Sequence, residues 1–123
     1  MNRLLDRAPE LTALFAHNDH MAIGAMRALH DRGLRVPEDC AVVGFDDIDL
    51  APYVIPSLTT VRISFENSGA AAVRLLLDRI ERETTVPERV VLPVELVVRS
   101  SCGSALRASK SGEHAGVDKE PRI

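Results

Sequence analysis

The stretch that decides the fold is Ala41–Pro52, AVVGFDDIDLAP. It opens with an apolar run, rich in β-branched side chains and without polar alternation, which is typical of a strand covered on both faces in a parallel α/β sheet. Two carboxylates, Asp46 and Asp47, follow this run directly. Because parallel α/β sheets bind small molecules beyond the carboxyl ends of their strands, the sequence predicts that these carboxylates border a ligand site.

The residues that precede this strand complete one βαβ unit. Leu11–Ala16 is a short apolar run that predicts a strand, and His20–Arg32 repeats apolar residues at helical spacing. A right-handed crossover makes the two strands parallel, so both end at the same edge of the sheet. We therefore expect the polar segment His17–Asp19, which follows the first strand, to meet Asp46 and Asp47 at one crevice.

Local signals bound the two long helices that the sequence predicts. Asn18 or Asp19 suits the N-cap position of the first helix, and Gly33 suits the position after its last turn. Ser64 suits the N-cap of the second helix. In the first helix a methionine stripe, Met21 and Met26, is compatible with either a core face or an interface.

The rest of the chain extends this unit without repeating it. A third strand is predicted at Leu58–Arg62, and the second long helix at Phe65–Arg82. The composition from Ser100 onward, rich in serine, glycine and charge, predicts disorder. The predicted fold class is α/β, a parallel sheet with flanking helices. The minor predicted elements are a short helix at Asn2–Ala8, a turn at Thr84–Pro87, and two strands, Arg89–Leu92 and Val94–Arg99, interrupted by Pro93.

Composition excludes several classes of function. The chain has 123 residues, of which 15 are Lys or Arg and 18 are Asp or Glu, for a net charge of -3. The basic residues are scattered along the sequence, so it has no electrostatic footprint for nucleic acid. The N-terminus lacks the apolar region of a signal peptide, and no apolar run approaches the length of a membrane span. We therefore expect a cytoplasmic protein.

Binding, rather than catalysis, is the expected role of the two carboxylates. Adjacent residues that leave a strand point in opposite directions, so Asp46 and Asp47 are not expected to form a facing acid–base pair. The expected division is one carboxylate toward the crevice and the other capping the following turn. Together with Asn18, an ionised carboxylate suits a polyhydroxylated ligand, and Phe65 or Phe45 can cover an apolar ring face.

No metal, cofactor or nucleophilic centre is predicted. His17 and His20 have a spacing that can share a metal, but no further ligand completes a set around them. Cys40 and Cys102 have no CxxC pattern, so we expect a buried small residue and a loose thiol near the tail. The sequence also lacks a phosphate-binding glycine loop and a nucleophile elbow. The chain is therefore expected not to be an enzyme.

Two long stretches resemble a known family. ALFAHNDHMAIGAMRALHDRGLRVPEDCAVVGFDDIDLAPYVIPSLTTVR, and later VVLPVELVVRSSCG, are similar to the effector-binding core of the LacI/GalR family of bacterial transcriptional regulators. The resemblance covers Leu11–Gly103 and implies a two-lobed, periplasmic-binding-protein-like core that closes on a small, sugar-like effector. It further implies that Asn18, Asp46 and Phe65 contact the effector. Ile63 departs from the polar residue that several sugar-binding members carry there.

The resemblance also implies partners. Ala22, Ile23, Met26 and Tyr53 match positions of a surface through which such cores form homodimers. DNA binding is implied only through an N-terminal helix-turn-helix domain that this sequence does not contain. The implied effector is a sugar or a similar small molecule, with no cofactor.

These inferences predict a fragment with two parts. Residues 1–103 are expected to be the C-terminal part of an effector-binding and dimerisation domain, an incomplete lobe of the periplasmic-binding-protein type, and residues 104–123 a disordered tail. The helix Phe65–Arg82 would pack on the missing first lobe, so its apolar face is expected to be exposed. The alternative expectation is a periplasmic-type sugar-binding protein of a transport system.

Overall fold

The computed structural model describes residues 1–82 and 89–104. The predicted helices and the first three predicted strands are confirmed, with bounds shifted by at most two residues. The predicted turn at Thr84–Pro87 and the predicted tail at 104–123, apart from Ser104, lie outside the described residues. The elements in chain order are α1 (Asn2–Arg7), β1 (Ala13–Phe15), α2 (Asp19–Asp31), β2 (Ala41–Asp46), β3 (Thr59–Arg62), α3 (Phe65–Arg82) and β4 (Glu95–Val97).

The strands form one sheet in the order β1-β2-β3-β4. β1, β2 and β3 are parallel, as predicted, and β4 pairs antiparallel with β3, so the sheet is mixed. The separate strand predicted at Arg89–Leu92 is wrong. Residues 89–94 make no strand because Pro93 lacks the N–H that a ladder needs, and Val91 is largely exposed.

The core lies between α2 and the sheet. The apolar face of α2 packs over β2, because small and aliphatic side chains recur on that face at helical spacing. The helix begins at the cap residue Asn18 and is followed by Gly33, whose φ of +73° is the left-handed conformation predicted for this position. The buried apolar residues that form the core cluster are Leu5, Ala16, Ala22, Met26, Leu29, Cys40, Val42, Ala51 and Leu58.

The segment after β4 is part of the fold, which corrects the prediction of disorder from Ser100 onward. Ser101 is fully buried, and its hydroxyl accepts a hydrogen bond from Thr59 N–H (2.8 Å) and donates one to the Val42 carbonyl (2.6 Å). The Val42 N–H in turn donates to the Ser101 carbonyl (2.8 Å). Composition missed this because a small hydroxyl stabilises a buried position through hydrogen bonds, without an apolar side chain.

Candidate functional site

The carboxyl ends of three parallel strands form one edge of the sheet. Asp46, the last residue of β2, lies opposite Arg62, the last residue of β3, in the strand register. β1 ends beside β2, where Ala16 N–H donates to the Val43 carbonyl (2.8 Å). The convergence that the βαβ reasoning predicted is therefore confirmed, and the polar residues after β1 and β2 share this edge.

Asp19 links the two loops at this edge. Its carboxylate is fully buried and accepts hydrogen bonds from the Thr60 hydroxyl (2.5 Å) on β3 and from Ile48 N–H (2.9 Å) in the loop after β2. The sequence predicts Asp19 as a possible helix cap and as part of the polar segment at this edge, but it does not predict these hydrogen bonds. Gly44 is the sequence signal for this approach of Asp19 to β2, because a glycine inside a strand often marks the close approach of another group.

Asn18 caps α2 and still has hydrogen-bonding capacity toward the edge. Met21 N–H donates to its Oδ1 (2.9 Å), as the N-cap prediction required. Within residues 1–82 and 89–104, no hydrogen bond engages its amide N–H donors. The amide N–H groups of Asn18 are therefore its available hydrogen-bonding groups, because its oxygen accepts from the helix.

The two adjacent carboxylates have different environments. The side chain of Asp47 is only 8% exposed and accepts from Arg62 Nε (2.7 Å) and Arg99 Nη2 (2.7 Å). The expectation that the second carboxylate caps the following turn is therefore wrong, since Asp19 takes the N–H of Ile48. Among the described residues, the half-buried Asp46 carboxylate makes no hydrogen bond or ion pair.

The backbone at the two carboxylates is unusual. The φ angles of Asp46 and Asp47 are +111° and +56°, in the region that residues other than glycine rarely adopt. Such conformations cost about 1–3 kcal/mol each and persist where the surroundings enforce them, often at ligand sites. The side-chain contacts that hold this segment are those of Asp47 with Arg62 and Arg99 and the hydrogen bond from Ile48 N–H to the Asp19 carboxylate.

These arginines also set the titration of Asp47. Partial burial raises the pKa of the Asp47 carboxyl, but the hydrogen bonds and charges of Arg99 and Arg62 outweigh it and hold the pKa below the ordinary value. A carboxyl with a lowered folded-state pKa stabilises the fold above its unfolded pKa of about 3.9, and this stabilisation is lost as the pH falls through the lower folded value.

The lowered pKa of Asp47 gives a prediction for the variant Asp47→Asn. At pH 7 the variant should have a lower free energy of unfolding than the unaltered chain, and the difference should shrink as the pH falls below about 4. Urea unfolding followed by circular dichroism across this pH range measures the difference. Asp49→Asn, an exposed carboxyl in the same loop, is the control. A stability difference that does not depend on pH would contradict the assignment.

Phe65 stands at the start of α3, close in sequence to the end of β3. Ser64 caps the helix as predicted, with Asn67 N–H donating to its Oγ (3.2 Å). The Phe65 ring is 63% exposed, so it is available to a ligand or to another part of a protein, while Ile63 is half-buried.

The residues assigned to a dimer surface fall into two groups. Ala22 is fully buried and Met26 is 7% exposed, so both belong mainly to the chain's own core. Ile23 is half-buried and Tyr53 is 79% exposed. Met26 also lines the base of a shallow groove of about 260 Å³ between α2 and the loop 54–55. The accessible part of the assigned surface is therefore Ile23 and Tyr53.

The histidines and cysteines of the described residues do not form a metal site. His17 and His20 are both exposed, and no group of three His, Cys, Asp or Glu side chains in residues 1–82 and 89–104 has metal-binding geometry. Cys40 is buried as predicted, whereas Cys102 is half-buried rather than loose. No helix in these residues has both the length and the apolar character needed to cross a bilayer.

The sequence profile of the periplasmic binding protein-like domain family matches residues 1–102. The chain belongs to this family. The family's relatives include the HTH-type transcriptional regulator CelR of Thermobifida fusca, 50% identical over 82% of this chain, and the HTH-type transcriptional repressor MelR of Bacillus subtilis, 44% identical over 84%. The chain spans 30% of the length of each.

Solved structures of the family agree with this assignment. A CelR–cellobiose complex has a TM-score of 0.73 and 49% identity over 81% of this chain and 31% of its own. The lac repressor dimer bound to operator and the anti-inducer ONPF has a TM-score of 0.70 and 39% identity over 81% of this chain and 35% of its own. The LacI-type resemblance is thus confirmed for the effector-binding region. The relatives named here are regulators, which disfavours the transport alternative.

Proposed function

We propose that this chain supplies one side of a sugar effector site in a LacI-type transcriptional regulator of the cytoplasm. The observation that carries the proposal is the Asp46 carboxylate, which is half-buried at the sheet edge and unpaired among the described residues. An ionised carboxylate accepts from two hydroxyls of a sugar, and the free N–H donors of Asn18 bind a hydroxyl or ring oxygen. The exposed Phe65 ring covers an apolar sugar face.

Effector binding regulates by favouring one of two conformations of a two-lobed core. A ligand shifts such an equilibrium only by its difference in affinity for the two states. In this chain the difference resides in Asn18 and Asp46, which contact the effector fully only when the second lobe closes over them. DNA binding then belongs to a separate helix-turn-helix domain, and a homodimer forms through Ile23, Tyr53 and the groove beside α2.

Titration of the 123-residue chain with cellobiose, followed by NMR shifts of the Asn18 side-chain amide, tests this site. We expect weak binding by the unaltered chain and at least about tenfold weaker binding by Asp46→Ala, because charge-assisted hydrogen bonds are lost. Asp49→Ala removes an exposed carboxylate from the same loop and should bind normally. Equal affinity in Asp46→Ala would refute the proposed role of this residue.

A further inference from the structure

Four side chains of alternating charge form a chain of ion pairs at the same edge of the sheet and connect β2, β3 and β4. Glu95 on β4 contacts Arg62 on β3 (3.1 Å), Arg62 contacts Asp47 after β2 (2.7 Å), and Asp47 contacts Arg99 (2.7 Å). Arg99 also donates to the Leu58 carbonyl (2.7 Å), at the start of β3. The two positive charges of this group are therefore matched by Asp47 and Glu95, while Asp46 keeps an unpaired charge among the described residues.

Asp47 and Arg99 are the more buried pair of this group. The side chain of Arg99 is 16% exposed and that of Asp47 is 8% exposed, whereas Arg62 and Glu95 are largely open to solvent. Ion pairs shielded from water are screened less than exposed ones, so the Arg99 contact holds Asp47 more firmly than the Arg62 contact does. Each guanidinium binds a different oxygen of Asp47, which fixes the orientation of the carboxylate as well as its position.

The contacts of Asp47 bear on the backbone conformation of Asp46, and through it on the direction of the Asp46 side chain. Asp46 and Asp47 both have positive φ angles, and the next residue, Ile48, is held by the buried Asp19 carboxylate. The three-residue segment is thus anchored at its first residue by the pairing of β2 with β3 and at its second and third residues by side-chain contacts, and its first residue presents the free carboxylate. Loss of the Asp47 contacts would let the positive φ of Asp46 relax, and this rotation about the Asp46 N–Cα bond would turn the Asp46 side chain away from its present direction.

We propose that Arg99 and Arg62 are positioning residues for the effector site. They hold Asp47 in its left-handed conformation and thereby aim the Asp46 carboxylate at the ligand. This inference rests on the proposed function of Asp46. It assigns to Arg99, in the segment after β4, a role in ligand affinity.

The test compares Arg99→Met, Arg62→Met and Arg35→Met in the 123-residue chain. Arg35 makes an equally short, two-point ion pair with Asp39 away from the sheet edge, so its replacement controls for the loss of a guanidinium. Two quantities are measured by NMR: the three-bond HN–Hα couplings of Asp46 and Asp47, which report φ, and the affinity for cellobiose. We expect Arg99→Met to change both couplings and weaken cellobiose binding roughly tenfold, as removal of supporting partners does at other sites.

Arg62→Met should have a smaller effect of the same kind, and Arg35→Met none. A double-mutant cycle separates positioning from direct contact, because Asp47→Asn combined with Arg99→Met should bind no more weakly than either single variant. Normal couplings in Arg99→Met, or changed couplings with normal affinity, would overturn the proposal. If cellobiose does not bind the unaltered chain, the effector assignment fails, and the positioning claim is then decided by the couplings alone.

Discussion

Gly44→Ala is expected to lower the free energy of unfolding by about 3 kcal/mol, a large fraction of the roughly 5–15 kcal/mol that stabilises a typical domain. A Cβ atom on Gly44 would lie within 3.2 Å of a Leu58 methyl group and would overlap Asp19 Oδ1. The Asp19 carboxylate cannot retreat, because the Thr60 hydroxyl and Ile48 N–H hold it. The variant must therefore either distort β2 or leave buried hydrogen-bonding groups unpaired.

Gly24→Ala provides a matched control for this prediction. Gly24 lies on the exposed side of α2, and a Cβ atom there would meet nothing within 4 Å. Alanine in a helix interior is more favourable than glycine by about 0.5–1 kcal/mol, so this variant should be slightly more stable than the unaltered chain. Thermal or urea unfolding followed by circular dichroism measures both. Similar stability of the two variants would mean that Asp19 does not occupy the space behind Gly44.

The arrangement of the strand ends could be predicted from the sequence because it depends on local pattern and handedness. Apolar runs and helical periodicity identify β1, α2 and β2. A right-handed crossover then makes the two strands parallel, so that both end at the same edge of the sheet. The caps Asn18, Gly33 and Ser64 were predictable for the same reason, since their partners lie within a few residues. The sequence pattern predicts that one of Asp46 and Asp47 faces the crevice, but it does not decide which of the two.

The assignment of Asp46 and Asp47 required contacts that no local pattern contains. Asp47 differs from Asp46 because it accepts a hydrogen bond from Arg99, which lies 52 residues further along the chain. Asp19 accepts one from Thr60, 41 residues away. Sequence periodicity reports which face is apolar, but it does not report which distant cation reaches a given oxygen. The antiparallel direction of β4 and the burial of Ser101 escaped prediction for the same reason.

One apolar surface predicted from the sequence has no cover in the described structure. Five large side chains on one face of α3 are each between 51% and 66% exposed, and these are Phe65, Val73, Leu76, Leu77 and Ile80. They recur at helical spacing and form a continuous stripe along the helix. Monomeric proteins seldom expose an apolar patch of this kind, because burying each such side chain is worth about 1.5–3 kcal/mol.

Apart from the proposed homodimer surface at Ile23 and Tyr53, the 123-residue chain is therefore expected to self-associate at micromolar concentrations through α3, and Leu76→Lys is expected to weaken this second association at least about tenfold. Sedimentation equilibrium measures the effect. Asn67→Lys adds the same charge to the same helix outside the stripe, so it should associate like the unaltered chain. Equal weakening by both variants would indicate that net charge, rather than burial of the stripe, controls association. A monomeric unaltered chain would contradict the prediction.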